Sequence, residues 1–131
     1  MAIEPKRMQG AMKAYSEEVV RTFREHIGFV DFPLQTFAVF LYIPSTGQVS
    51  MGELVRQFKE MGQTSVGRSV DILCGTSRIK ENRGYILAER FEDTMDRRVK
   101  IIKLSEEGKQ LRAAMHQRGM DIYNRILGVT E

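Results

Sequence analysis

Apolar residues recur at three- and four-residue spacings in several stretches of the chain, and the period shortens only over 85–104. Met8, Met12, Tyr15, Val19, Phe23 and Ile27 share one face of a helix predicted over 5–28, with Gly28 as its stop. The helix is long and its stripe is narrow, as expected of a helix packed along another long helix. That partner lies either in the same core or across a dimer interface. Pro33 then breaks the chain. Residues 34–43 are apolar almost throughout and predict a buried helix. Residues 44–47 carry turn chemistry, and Gln48-Val49 has room for a small strand only.

Ser50 with Glu53 three residues later reads as a capping box, each side chain satisfying a free N–H at the start of a helix over 51–58. Met51, Leu54, Val55 and Phe58 form its apolar face. Residues 59–62 read as a turn. Residues 63–74 predict a second helix, capped by Thr64 or Ser65, with Val66, Val70 and Leu73 inward. Gln63, Ser65, Arg68, Ser69 and Ile72 are left for its other face. Two short helices joined by a tight turn resemble a helix-turn-helix. Gln, Ser, Thr and Arg are the side-chain types that reach base edges or phosphates when a helix enters the major groove. The alternative at this point is any pair of surface helices in a helical domain.

Residues 85–88 and 99–104 are β-prone, and the polar stretch 89–98 between them reads as a hairpin loop with Asp93, Thr94 and Asp96 as turn formers. A hairpin directly after a helix-turn-helix makes a winged helix. Arg90, Arg97 and Arg98 then suit the minor groove or the phosphates, against the alternative of a solvated charged loop. Ser105 caps a final helix over 105–128, with Glu106 and Glu107 in its first turn, where the helix dipole favours acids. Leu111, Met115, Ile122 and Ile126 form its stripe, and Gly119 is a weak point in it.

Composition changes this picture little. The 131 residues are 42% hydrophobic and 28% charged, which suits one domain with a core. The net charge of +3 permits nucleic-acid binding without demanding it. A single cysteine makes no internal disulfide and no metal site, and no apolar run reaches membrane-spanning length. The first residues lack the apolar core of a secretory signal, so a cytoplasmic protein is expected. His26 and His116 stand apart from any ligand spacing, and Cys74 reads as packing. With no placeable nucleophile–base pair, phosphate-binding loop or paired acids, neither an enzyme nor a cofactor is expected.

The run from Asp96 to Leu111, DRRVKIIKLSEEGKQL, with the helix pair over 50–73 before it, resembles the MarR-type winged-helix transcription regulators. Their wing and following helix typically read D-R-R-x-K-x-x-x-L-T-x-x-G-x-x-L, and only Ser105 departs, where Thr is usual. The resemblance covers roughly 34–115. It implies a mainly α fold with a small β-hairpin wing (α+β) in one domain over 1–131. The winged helix would occupy 34–104, and dimerisation helices 5–28 and 105–128. It further implies a homodimer on pseudo-palindromic double-stranded DNA, acting as a repressor. Gln63, Thr64, Ser65, Arg68 and Ser69 would lie in the major groove, and Arg97 and Arg98 at the wing tip. Asp96 would pair with Arg98 and hold the wing in shape. A small aromatic effector near Tyr15, Phe23, His26 and Phe40 is a further implied partner, against core packing for the same residues.

The connection between Leu73 and Asp96 is longer than that pattern allows. Its basic excess over 75–84 either lengthens the second helix, adds a turn, shifts the helix register, or contacts phosphates through Arg78, Lys80 and Arg83. Gly67 within the second helix allows a close approach to DNA or marks its loss. Two other readings therefore stay open: a phage- or plasmid-type accessory protein for replication or partition, and a winged-helix protein-interaction module.

Overall fold

The computed structural model describes residues 4–27, 32–75 and 86–127. The chain divides into two compact units, one drawn from Met1–Phe29 and Leu111–Glu131, the other from Val30–Gln110.

In the first unit, α1 (Pro5–Tyr15) passes through a π-helical turn (Ser16–Val20) into α2 (Arg21–Ile27). Pro5 sits in the first turn, where its missing N–H costs nothing. Inside the π-helical turn, the Glu18 carbonyl accepts the Thr22 hydroxyl, and the Arg21 N–H is directed to the same oxygen. A side chain inserted into the ladder in this way perturbs regular α-helix. The stripe predicted over 5–28 is buried only in its second half, at Val19, Phe23 and Ile27. None of the α1 residues is buried, and Met12 is 66% exposed. This unit also contains the greater part of α6 (Glu106–Leu127), which runs unbroken through Gly119 and buries Leu111, Met115 and Ile122. At Gly119 a Cβ would lie 3.9 Å from the Tyr15 ring. Arg125 Nη2 stands 3.6 Å from a Glu18 carboxylate oxygen.

The second unit opens with α3 (Leu34–Tyr42). The expectation of burial throughout 34–43 is corrected. Thr36, Val39, Phe40 and Ile43 are buried, but Leu34 is 82% exposed, because only one side of the helix meets α5. Next come β1 (Val49–Ser50), α4 (Met51–Gln57) and α5 (Gly62–Leu73). Ser50 Oγ accepts the Glu53 N–H at 3.1 Å, as a capping serine should. The Glu53 carboxylate does not return the bond expected of a capping box. It accepts the Tyr42 hydroxyl at 3.1 Å, and the Tyr42 ring meets Phe58 edge-on at 5.7 Å. That hydrogen bond to Glu53, which holds the phenol proton, pushes the Tyr42 pKa up.

The sheet has strand order β1-β3-β2, all antiparallel, with β2 (Ala88–Glu92) and β3 (Lys100–Leu104) forming the hairpin. The first strand thus begins three residues later than predicted, and residues 89–92 belong to the strand rather than to the loop. Ala88, Arg90 and Glu92 stand opposite Leu104, Ile102 and Lys100, so polar residues continue the ladder wherever a partner is in register.

The end of α5, the residues before β2 and the start of α6 meet at one junction. The Leu87 N–H donates to the Leu73 carbonyl at 2.8 Å, and the Ser105 N–H donates to the Leu87 carbonyl at 3.0 Å. Ser105 Oγ donates to the Ile86 carbonyl at 2.6 Å and accepts the Gly108 N–H at 3.0 Å. Gly108 is needed for this geometry. A Cβ there would overlap the Leu87 carbonyl oxygen and lie 3.0 Å from its carbon, both backbone atoms with no freedom to yield.

Gly108→Ala is expected to cost about 3 kcal/mol in urea unfolding, at the upper end of the usual overpacking range. Gly67→Ala, where a Cβ meets nothing within 4 Å, is expected to raise stability by up to ~1 kcal/mol. Equal effects at the two glycines would show that the Leu87 approach does not constrain the fold.

Candidate nucleic-acid interface

The turn between α4 and α5 is made by Gly62, whose φ of +80° lies in the left-handed region. It starts α5 one residue ahead of the predicted 63. The expectation that Thr64 or Ser65 caps the helix is therefore corrected. Met61 is the N-cap and makes no side-chain bond, which leaves Thr64 and Ser65 inside the first turn. Gly75, at φ +72°, ends the helix in the usual left-handed way. The long connection over 75–84 does not lengthen α5, which stops at Leu73. Arg78, Lys80 and Arg83 lie outside the described residues, as does Tyr85.

Thr64 and Arg68 stand exposed on α5 four residues apart, with Gln63 exposed next to Thr64 in the chain and Gly67, Ser65 and Asp71 half-buried beside them. Ser69 does not belong to that face. It is 1% exposed and accepts the Thr36 hydroxyl at 3.1 Å, which ties α5 to α3. Ile72, expected on the outer face, is equally buried. Residues 66, 69, 70 and 73 form one inward stripe, and a small hydroxyl with a partner fits in it as well as an alanine would.

The wing tip spans residues 93–99. Asp93 Oδ1 accepts the Met95 N–H at 2.9 Å, and backbone bonds run from Asp93 N–H to the Val99 carbonyl and from Val99 N–H to the Asp96 carbonyl, both 2.9 Å. Asp96 accepts three bonds from Arg98: the backbone N–H at 3.0 Å, and Nε and Nη2 at 3.1 Å each. These hydrogen bonds, those of the side chain first, hold the Asp96 carboxyl below the ordinary aspartate range. Lys100 Nζ reaches the Glu92 carboxylate at 3.2 Å and the Arg97 carbonyl at 3.3 Å. The Arg97 and Arg98 side chains are exposed at the tip.

Arg90 is not a tip residue. It lies on β2 opposite Ile102 and forms an ion pair with Asp71 of α5. The sequence reading missed Asp71, and also missed Arg56 and Lys59, which are exposed on α4 and on the turn after it. The charge of Arg56 and Lys59, beside a helix-turn-helix whose first helix ordinarily crosses the phosphate backbone, was the available signal. For Asp71 there was none, because its partner lies 19 residues away. Cys74, half-buried beyond α5, has its thiol pKa pushed up by burial, which disfavours the reactive thiolate. Among the described residues no cluster of His, Cys, Asp and Glu could hold a metal ion, and no helix is long and apolar enough to cross a membrane.

No family model matches the chain, and no curated protein matches it. Solved structures do. Wild-type MarR from E. coli, in its apo form, superposes with a TM-score of 0.54 at 18% identity, covering 100% of this chain and 88% of that one. A cysteine-to-serine mutant of E. coli MarR complexed with operator DNA gives 0.54 at 19% identity, over 91% of this chain and 79% of the other. A structure described as the Multiple Antibiotic Resistance Repressor, MarR, gives 0.52 at 17% identity, over 98% and 85%. The helix pair, the three-stranded sheet with its charged tip and the helices at either end of the chain are together the MarR-type winged-helix fold.

Proposed function

We propose that the chain binds double-stranded DNA in a sequence-dependent way, as a homodimeric regulator of transcription, and acts as a repressor. One observation carries the reading: the α5 face of Gln63, Thr64 and Arg68 and the arginine-bearing wing tip are both solvent-exposed in the same compact unit. A helix with these side chains suits the major groove, and an arginine-tipped hairpin suits the flanking minor groove. The likeness to a MarR structure complexed with operator DNA supports the same use of the fold. Arg56 and Lys59 supply phosphate contacts that fix the register without reading sequence.

A second copy of the chain accounts for the first unit. Met8, Met12 and Tyr15 on α1, and Met120 and Tyr123 on α6, are all exposed. Large apolar side chains exposed on both helices of one unit suit an association surface. A two-fold dimer presents two winged helices and favours a pseudo-palindromic site. Asp96 keeps the wing in shape by holding the backbone and side chain of Arg98.

Selection from random duplex DNA at moderate salt is expected to enrich a palindrome that an Arg97→Ala/Arg98→Ala double variant fails to retain. Absence of enrichment, with binding insensitive to salt, would replace this reading by a protein-docking winged helix. Arg68→Ala is expected to relax the preference at one position at a cost of about 1–3 kcal/mol. Arg56→Ala is expected to weaken all sequences alike and to lower the salt slope by about 1. Asp96 contributes to wing order above the ordinary aspartate pKa of about 3.9, and that contribution is lost as pH falls through its depressed folded value. A carboxyl NMR titration is expected to show the depression, with Arg98→Ala moving the value back toward normal; an unchanged value in that variant would remove Arg98 as its cause.

A further inference from the structure

Met95 is 91% exposed, the most exposed of the large apolar side chains among the described residues. It stands at the apex of a loop that four backbone or carboxylate bonds hold in one conformation. Asp93 Oδ1 accepts the Met95 N–H itself, and Asp96 is turned onto Arg98. Both acids of the tip are thus engaged within the loop. Beyond them the apex carries one thioether side chain and the Arg97 guanidinium two residues on. An exposed apolar side chain on a fixed loop that also carries a cation suits a surface that is apolar in part and negative overall.

We propose that Met95 is a specificity-determining residue that enters the minor groove of duplex DNA beside Arg97 and excludes G·C pairs there. The inference rests on the DNA-binding reading above and deepens it. The chemistry follows from the groove floor. A·T pairs present only acceptors, adenine N3 and thymine O2, whereas a G·C pair adds the guanine N2 amino donor. Arg97 donates to the acceptors, and a narrow A·T groove attracts it further. The Met95 thioether is unbranched, flexible and a poor acceptor, so it packs along the sugar walls and the floor. Against a guanine it strips water from the amino group and returns no bond, which leaves that donor unsatisfied. Met95 therefore acts by rejection, while Arg97 supplies attraction.

The test uses the full-length protein and the duplex it selects from a random pool. Hydroxyl-radical footprinting locates the flanking minor groove. Three duplexes then carry A·T, inosine·C or G·C at those pairs; inosine·C keeps the major-groove face of G·C and lacks the amino group. The wild type is expected to bind the A·T and inosine·C duplexes alike and the G·C duplex roughly tenfold more weakly, within the usual cost of one unfavourable pair. Met95→Ala is expected to reduce that ratio to about two, and Met95→Leu to retain it, with unfolding midpoints unchanged in both. An unchanged ratio in Met95→Ala overturns the proposal and leaves the DNA-binding reading standing. A ratio lost in Arg97→Ala but kept in Met95→Ala overturns it equally, by assigning the discrimination to the arginine. Failure of the wild type to bind any duplex removes both readings at once.

Discussion

The Leu87 carbonyl rests against the backbone of α6 at Gly108, and that close approach fixes how α5, the hairpin and the start of α6 meet within the second unit. Its oxygen accepts the Ser105 N–H, while its own N–H is donated to the last residue of α5. One dipeptide, Ile86-Leu87, is therefore bonded to the end of α5, leads into β2 and seats the cap of the final helix. Ser105 completes the arrangement with one hydroxyl used twice, as a donor to Ile86 and as an acceptor from Gly108. A threonine in that place would supply the same hydroxyl, which is why the departure from the MarR-type pattern is chemically slight. The glycine has no such substitute, since any side chain would occupy the carbonyl's place.

From this junction outward, polar groups are divided between holding the fold and facing solvent. Thr36 and Ser69 satisfy one another inside the contact of α3 with α5, so neither is left to DNA. Arg90 and Asp71 satisfy one another at the edge of the same helix. What remains outward on α5 is short: Gln63, Thr64 and Arg68. At the wing tip the carboxylates of Asp93 and Asp96 are turned onto neighbouring N–H groups, and a loop that begins as an even mixture of charge presents arginine and methionine.

Much of this was legible in the residues. Ser50, Ser105 and the two acids after it mark helix starts by a local rule, and local rules survive folding. The run from Asp96 to Leu111 was readable because its residues interact with near neighbours: Asp96 with Arg98 two positions on, Ser105 with Gly108 three on. The misreadings share a different cause. Ser69 was assigned outward by residue type, although its spacing from Val66 and Leu73 places it inward. The polar residues 89–92 were read as loop, although register against β3 makes them strand. Arg90 looks free from its neighbours in the chain, because its carboxylate partner lies 19 residues back. Glu53 was expected to close a capping box, and the tyrosine that takes its carboxylate sits on another helix. For residues 89–92, Arg90 and Glu53 an interaction from distant sequence settles what local pattern leaves open, whereas for Ser69 the helical spacing itself holds the answer.

The ion pair between Asp71 and Arg90 joins the helix suited to the major groove to the strand that carries the wing. A lineage that altered Asp71 would remove the carboxylate that Arg90 holds, and so disturb the support of the strand that carries the wing. Conversely, a change in β2 that displaced Arg90 would remove the guanidinium that Asp71 holds. The helix and the strand therefore inherit together: drift at one end of the pair favours compensation at the other, and positions 71 and 90 are expected to diverge in step rather than one at a time.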